Sequence, residues 1–435
     1  MITRRGLLIA AAGAAALGVP TAARAAGHPV EQWITANARG LATVDPAASL
    51  DDLRALHRPL AGSTLVGLGE PGHNIAEVST LKHRLVRFLV EQRGFRSLIW
   101  EEDWSTGLLV DEYVRTGAGD LEVLIKDFSP AWRNQEVIDL LTWVRAYNAR
   151  HPHDQVHFVG AEHYATRSHV YRRLSSYVAE VAPGQHPEAE ELITALLPDP
   201  KQTIGQYARD YHENYSAETK QLYLRRAARL RAIVDGIGRP AGDRHHSLAR
   251  QMARQIEAFY IHYSLLWADI PSYRDAGSAR TIEWWLGHSR TRAVYWAATP
   301  HTSRAPKISI NTPAGSTSYV PAGSHLARRY GSRYRVICLA FDHGTYRTLQ
   351  GATVELPRPL PTWYEHRFRD LDHEQSALDL TERTPGAVRD WLAAPFRARG
   401  YPEAGHASDA TGGILADWAD VIIHRRTVTP ADPYP

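Results

Sequence analysis

The sequence is poor in cysteine, in lysine and in long hydrophobic runs. Cys338 is the only cysteine, so no intrachain disulfide can form, and its place in the apolar run Val336–Phe341 indicates a buried thiol rather than a nucleophile. Lysine and arginine total 50 residues, but no run of them follows one face, and the net charge is only +3. Nucleic-acid binding is therefore not indicated. Past the N-terminal stretch, no segment is apolar enough to span a membrane.

Two catalytic motifs are also missing. There is no G-x-S-x-G sequence and no plausible catalytic cysteine, so the chain favours attack by activated water, or another proton transfer, over an acyl-enzyme. There is no H-E-x-x-H sequence and no close histidine pair on a helix, so we expect neither a metal nor a cofactor. A metal-dependent hydrolase stays open as an alternative, because two histidines and two carboxylates can bind zinc or manganese.

The N-terminus reads as a targeting segment. Twin arginines lie in Thr3–Leu8, an apolar run follows over Gly6–Val19, and Ala23–Ala25 fits a cleavage site for small residues. We expect residues 1–25 to be a signal for the twin-arginine export machinery. The mature protein would then be extracellular or in the cell envelope, without stable membrane association.

Six apolar segments predict an α/β fold with a mostly parallel central sheet flanked by helices. Two of them end at Glu70 and Glu101, and the others are Val156–Gly160, Ala293–Ala297, Tyr334–Phe341 and Asp420–His424. Residues 28–60 read as a helical lead-in. We expect residues 26–167 to be the first part of the core, with a helical segment at 105–150, and residues 291–435 to be the second part. Residues 168–290 would be a helical insertion, forming a cap or second lobe that determines specificity.

The stretch Ser63–Trp104 reads as strand, glycine loop, helix and strand. The helix carries one apolar stripe, and we expect Asn74 to be its N-cap. The stripe is formed by Val78, Leu81, Leu85, Phe88 and Leu89. In a parallel βαβ unit the carboxyl ends of both strands lie at one edge of the sheet, where α/β proteins bind ligands.

Acidic residues and histidines follow five of the six predicted strands. They are Glu70 and His73, Glu101, Glu162 and His163, His301, and Asp342 and His343. We expect His73 to be a general base, kept neutral by the positive end of the following helix, with Glu70 and Glu101 orienting or tuning it. Gly69 and Gly72 would let the loop turn sharply and approach a ligand.

Two further positions have open interpretations. Lys82 either reaches the site or extends to solvent. Arg274 and Asp275 form either a simple ion pair or part of the site. Some of the twelve tryptophans and twenty tyrosines would line a pocket for a bulky, partly apolar ligand.

The chain resembles the erythromycin esterase family over nearly its whole mature length. The motifs that carry the resemblance are GLGEPGH, STLKHRLVRFLVEQRGF and SLIWEED, then Trp132–Val137 with Trp143, Tyr147 and Asn148, Gly160–Glu162, Tyr273–Asp275 with Trp284–Leu286, Gly323–Leu326 and the closing RRTVTPA. The resemblance implies an α/β core with helical additions and metal-independent hydrolysis of a macrolactone ester by histidine-activated water. It makes His73 the base and Lys82 the replacement of a basic helix residue that is often arginine.

One segment departs from the family pattern A-H-N-G-H. It reads Ala297-Ala298-Thr299-Pro300-His301, so His301 matches the second histidine and Ala298 replaces the first. If the first histidine polarises the ester carbonyl in active members, this chain lacks that group. His163 or His343 could compensate.

Four functions remain open. The leading one is hydrolysis of an ester or lactone of a bulky natural product, in antibiotic resistance or biosynthesis, with His301 binding the substrate. The second is a lyase, dehydratase or cyclase reaction on a polyketide-like substrate with the same base. The third is a binding protein or degenerate enzyme, and the fourth is the metal-dependent hydrolase.

Overall fold

Two sheets organise residues 28–434, the part of the chain that the computed structural model describes. The predicted export signal lies outside these residues. The strands are β1 Arg39–Gly40, β2 Leu65–Glu70, β3 Phe95–Asp103, β4 His157–Glu162, β5 Arg292–Ala298, β6 Ile308–Thr312, β7 Gly315–Tyr319, β8 Tyr334–Arg347, β9 Thr353–Leu356, β10 Gln375–Asp379, β11 Pro395–Arg399, β12 Asp409–Ile414 and β13 Val421–Val428.

Helices surround the sheets. They are α1 Pro29–Asn37, α2 Ala76–Arg93, α3 Trp104–Thr116, α4 Leu121–Ile125, α5 Gln135–Arg150, α6 Ser168–Val181, α7 His186–Leu196, α8 Ile204–Asn214, α9 Ala217–Asp235, α10 Arg244–His262, α11 Ile270–Ser289, α12 Thr299–Thr302, α13 Ala322–Tyr330, α14 Gly386–Leu392 and α15 Leu415–Trp418. Short 3₁₀ helices occupy Asp51–His57, Pro130–Trp132, Gly331–Arg333, Tyr364–Phe368 and Pro402–Ala407.

The six predicted strands form a continuous part of the larger sheet that ends at the edge strand β4. They run parallel in the order β13-β8-β2-β5-β3-β4, which confirms the mostly parallel α/β prediction. Strands β10 and β1 extend the sheet beyond β13 with antiparallel pairing, and β9 pairs antiparallel with β8. All six carboxyl ends therefore meet at one edge.

Both faces of the parallel sheet are buried under helices. Successive side chains of a strand point to opposite faces, so each strand contributes to two cores. Along β5, Val294 and Trp296 pack into the core that contains α2 and α5. Tyr295 and Ala297 pack into the core that contains residues of α6–α11. Helices α6–α11 together occupy residues 168–289. The division of the chain into a core and a cap remains a prediction.

Two local predictions near the N-terminus need correction. All five stripe residues of α2 are buried, but the helix begins at Ala76 rather than near Asn74. Asn74 has a left-handed φ of 56°, and Ile75 forms a β-bridge with Pro430 that delays the helix. In the lead-in, only α1 is an α-helix, since residues 39–40 form a short strand and residues 51–57 a 3₁₀ helix.

The second sheet is the element that the sequence analysis missed. It is antiparallel, with the order β11-β12-β6-β7, and it packs over a third core that includes Cys338 and Ala340 of β8. Strand β7 reads GSTSY and is mostly exposed, so it lacks the apolar alternation that identifies a strand. The turn between Thr312 and Gly315 is the feature of the sequence that could have predicted this β-hairpin. Among the described residues, no helix is both long enough and apolar enough to cross a membrane.

The buried stripe of α2 leads to a stability prediction. Leu85 is fully buried against the sheet, so Leu85→Ala should lower the free energy of unfolding by about 2–5 kcal/mol through lost apolar contact and a residual cavity. Urea denaturation measures this loss. Val123→Ala, a truncation of an exposed apolar residue, is the control and should change stability by less than about 0.5 kcal/mol. Equal effects of the two substitutions would contradict the packing of α2.

Candidate active site

A cleft of about 510 Å³ lies over the carboxyl edge of the parallel sheet. Strand ends and the loops that follow them supply its polar floor, namely Glu70, His73, Glu101, Ala298 and His301, and α11 adds Arg274. The second sheet and the chain around it supply most of its other wall, including Ile310, Thr317, Tyr319, Tyr346, Tyr364, Arg399 and Tyr401. Residues 168–290 contribute Trp267, Ile270, Pro271 and Arg274 to the lining, and the role of this block in specificity stays a prediction.

His73 is held by one carboxylate. Its Nδ1 lies 2.5 Å from Glu70 Oε1, which favours the tautomer in which Nδ1–H donates to the carboxylate. Nε2 then carries a lone pair, has no hydrogen bond to another described residue, and belongs to a half-buried ring on the cleft wall. The indole of Trp132 packs edge-on against the ring, with 4.3 Å between centroids. The geometry is that of an oriented general base.

The expectation that a helix end keeps His73 neutral is wrong in its direction. Burial lowers the pKa of His73, but the hydrogen bond to Glu70 and the charge of Glu101 outweigh it, so the pKa lies above its usual value. The helix begins only at Ala76, three residues after His73, so the carboxylates are the closer influence.

Lys82 reaches the site from α2 rather than extending to solvent. Its Nζ lies 2.7 Å from Glu70 Oε2 and 4.1 Å from the centroid of the Trp296 ring. Burial lowers the pKa of Lys82 to about 8, against the opposing charge of Glu70. Lys82, Glu70 and His73 thus form a chain in which the two oxygens of Glu70 accept hydrogen bonds from two partners.

A second carboxylate holds His301. Its Nδ1 lies 2.9 and 3.0 Å from the two carboxylate oxygens of Asp275, which also accepts a hydrogen bond from the backbone N–H of Ala322. Burial lowers the pKa of His301, but the charges of Asp275 and Glu101 outweigh it, and the pKa lies above its usual value. Asp275 therefore belongs to the site and does not merely neutralise Arg274.

Glu101 joins the end of β3 to three other parts of the site. Its Oε1 lies 2.8 Å from Arg274 Nη2 and 3.3 Å from His301 Nε2, while its Oε2 accepts a hydrogen bond from the backbone N–H of Ala298 at 2.8 Å. Burial raises the pKa of Glu101, but the charges of His301, His73 and Arg274 hold it well below its usual range. Glu101 is thus ionised, and it tunes His73 by charge while its hydrogen bonds go elsewhere.

Glu162 fixes Arg274 from β4. Its Oε2 accepts a hydrogen bond from Arg274 Nε at 2.9 Å, and Arg274 Nη1 lies 3.2 Å from His301 Nε2. A guanidinium nitrogen can only donate, so this contact requires a lone pair on Nε2 of a neutral His301. When His301 is protonated, its Nε2–H donates to Glu101 Oε1 instead. The ring therefore has a partner in either protonation state.

The two loop glycines allow close packing, and Gly72 also lines the cleft. A Cβ at Gly69 would lie 2.6 Å from Thr302 Oγ1 and 2.9 Å from Thr299 Oγ1, so its absence brings α12 and His301 onto β2. A Cβ at Gly72 would meet the ring of Pro402 at 2.4 Å. Neither glycine has a positive φ, although residues 71–74 form a bend that includes Gly72.

Two predicted histidines lie outside the cleft. His163 is buried beside His262, with 3.4 Å between His163 Nε2 and His262 Nδ1, and its ring fills the space over Gly277. His343 Nδ1 contacts Asp342 Oδ2 at 3.0 Å on a part of β8 that does not line the cleft. A residue at the end of a strand does not always point into the site, because alternate residues of a strand point to opposite faces. Neither histidine is placed to replace the one missing at Ala298.

Metal ligation has no arrangement to support it among residues 28–434. No three His, Cys, Asp or Glu side chains are grouped there as ligands of one ion. The charged groups instead form two carboxylate–histidine pairs with Glu101 and Arg274 between them. Imidazoles paired with carboxylates at the carboxyl edge of an α/β sheet are suited to proton transfer, as in hydrolytic enzymes.

The chain belongs to the erythromycin esterase family, since the model of that family, described as erythromycin esterase, matches residues 90–428. Membership supports a hydrolase-type function. Glu101, Arg274 and His301 lie inside the matched range, whereas Glu70 and His73 precede it. Erythromycin esterase type II of Escherichia coli is 25% identical over 134 residues, which are 30% of this chain and 31% of that protein. The match therefore spans about a third of that relative.

Three solved structures share the fold. A Bacillus cereus protein is 26% identical with a TM-score of 0.82, over 93% of this chain and 98% of that one. A succinoglycan biosynthesis protein is 21% identical with a TM-score of 0.78, over 93% and 97% of the two chains. A mutant of the erythromycin esterase EreC in its open conformation is 17% identical with a TM-score of 0.69, over 90% and 98%. The last two likenesses show the fold alone.

The Asp275–His301 pair predicts a pKa change that needs no substrate to measure. Asp275→Asn removes the charge that stabilises the His301 imidazolium, so the pKa of His301 should fall. A ¹⁵N NMR titration of the histidine side chains measures it. His73, which is held by Glu70, serves as the internal control and should titrate nearly as before. An unchanged His301 pKa would show that Asp275 does not control this ring.

Proposed function

We propose that this protein is an esterase or lactonase that uses water activated by His73 and forms no acyl-enzyme. The observation that carries the proposal is the Glu70–His73 pair, whose Nε2 has no hydrogen bond to another described residue and whose ring lines the cleft. Family membership supports the reaction class.

The reaction follows from the pair. His73 Nε2 takes a proton from a water molecule, and the water oxygen attacks the carbonyl carbon of the ester. The bond from that carbon to the alcohol oxygen then breaks, and the imidazolium returns its proton to the alcohol oxygen. The products are a carboxylic acid and an alcohol. Glu70 orients the ring, and Lys82 balances the charge that Glu70 would otherwise carry unpaired.

His301 and Arg274 bind the substrate in this proposal. Both are positioned by carboxylates, His301 by Asp275 and Arg274 by Glu101 and Glu162. Arg274 stays charged, because the charges of Glu162 and Glu101 outweigh its burial and keep its pKa well above its usual value. The site thus offers positive charge near a substrate oxygen.

The mouth of the cleft favours a bulky, partly apolar small molecule such as a macrolactone. Trp267, Leu349 and Tyr401 all line the cleft and are all exposed, Trp267 to 67%. Exposed large apolar side chains that meet around one opening are typical of a ligand-binding surface. We also propose export through the twin-arginine machinery, on the sequence of residues 1–25, so that the substrate is met outside the cytoplasm.

Removing the base should abolish turnover. His73→Ala should lower kcat/KM for a hydrolysed ester by about 10²–10⁴-fold, the usual contribution of a general base, with the thermal midpoint nearly unchanged. Incubation with macrolactones and simple esters, followed by mass spectrometry, shows the reaction as the gain of one water. His343→Ala is the matched control outside the cleft and should keep full activity. Retained activity in His73→Ala would refute the assignment, and loss of one water from the substrate would indicate a dehydratase.

The rim should distinguish large substrates from small ones. Trp267→Ala should raise KM about tenfold for a macrolactone, the factor that about 1.4 kcal/mol of lost contact produces. It should leave KM for a short-chain ester nearly unchanged, because such an ester does not reach the rim. Steady-state kinetics on both substrates measure the difference, with Val123→Ala as the exposed apolar control. An equal rise of KM for both substrates would contradict a role in specificity.

A further inference from the structure

Three buried tyrosines of the cleft have hydroxyl groups without a hydrogen bond to another described residue. Tyr319, Tyr346 and Tyr364 all line the cleft, and each is more than nine-tenths buried. Buried tyrosine hydroxyls usually have a partner, as Tyr334 has in the carbonyl of Thr302. None of the three hydroxyl oxygens is completely sealed from solvent, so all three face accessible space.

The charges around the three rings differ. Tyr346 lies near the carboxylates of Glu403 and Glu70, and Tyr364 lies beside Glu365. Only carboxylates act on Tyr346, whereas at Tyr364 the Arg399 guanidinium opposes the charge of Glu365.

Tyr319 lies on the His301 side of the cleft. Its ring centroid is 5.8 Å from that of His301, and the Arg274 guanidinium acts on it electrostatically. The carboxylates of Asp275 and Glu101 act on Tyr319 as well, Asp275 more strongly than Arg274, and all of these charged groups are paired within the site. Of the three rings, that of Tyr319 is the one that packs near His301, the side chain that binds the substrate in the proposed reaction.

We propose that Tyr319 is a catalytic residue whose hydroxyl donates a hydrogen bond to the carbonyl oxygen of the scissile ester. The inference rests on the proposed esterase function. As the water oxygen adds to the carbonyl carbon, electron density moves to the carbonyl oxygen, and the Tyr319 O–H···O⁻ hydrogen bond strengthens. Tyr319 keeps its proton throughout.

The surroundings keep this hydroxyl protonated. Burial raises the pKa of Tyr319 well above its usual value, and the charge of Asp275 raises it further against the opposing effect of Arg274. A donor of this kind does not titrate across the pH range in which His73 gains and loses its proton.

The test compares Tyr319→Phe with Tyr346→Phe, which removes a similarly buried cleft hydroxyl at a position away from His301. Tyr319→Phe should lower kcat by about 10²–10³-fold, the usual effect of losing one oxyanion donor, with little change in KM. Tyr346→Phe should lower kcat less than about tenfold. The thermal midpoints of both variants should match that of the unaltered chain. A Tyr319→Phe kcat loss no larger than that of Tyr346→Phe would overturn the proposal.

A phosphonate ester, which mimics the tetrahedral oxyanion, separates this proposal from the esterase function. Its affinity, measured by calorimetry, should fall about 10²-fold in Tyr319→Phe and little in Tyr346→Phe. If His73→Ala abolishes turnover but Tyr319→Phe does not change kcat, only the Tyr319 proposal fails. If the unaltered chain turns over no ester, the esterase proposal fails, and the phosphonate affinities alone test the role of Tyr319. Equal affinity in the unaltered chain and Tyr319→Phe, or no binding to either, overturns the role of Tyr319.

Discussion

The buried Glu101 carboxylate is the group on which the arrangement of the site depends. It is the point at which β3, α11 and the start of α12 meet, through Arg274 and the backbone N–H of Ala298. A buried carboxylate is stable only when charge partners and hydrogen bonds replace its lost hydration. Arg274, His301 and the backbone N–H of Ala298 share this task at Glu101. The same bonds that stabilise Glu101 therefore hold Arg274 and His301 over the sheet edge.

Around this group the site has two carboxylate–histidine pairs with unequal charge balance. Lys82 pairs with the carboxylate oxygen of Glu70 that does not contact His73. The His73 ring can therefore gain and lose a proton without leaving a buried, unpaired anion. Asp275 has no such lysine, and it shares its charge between His301 and a backbone N–H. This difference suits a division of labour in which His73 moves protons and His301 stays bound to its carboxylate.

Much of the fold could be read from the pattern of residues. The parallel strands are continuous apolar runs because both faces of the sheet are covered, and the stripe of α2 follows the helical repeat. Glu70 and His73 could be recognised because they are three residues apart in one loop. Strand β7 could not be identified in the same way, since its exposed polar residues resemble a loop. Tyr319 was therefore missed together with the strand that carries it.

The order of residues along the chain thus determined the elements, the sheet edge at which they end, and the local Glu70–His73 pair, because these depend on neighbours in sequence. The remaining contacts depend on the packing of distant segments. Asp275 is paired with His301 and Glu101 with Arg274 because α11 and α12 meet at the sheet edge, and no local pattern encodes that meeting. The same packing sends His163 and His343 away from the cleft and brings Tyr319 into it. Similar residues at similar strand ends thus have different environments, since burial and charge are properties of the assembled core.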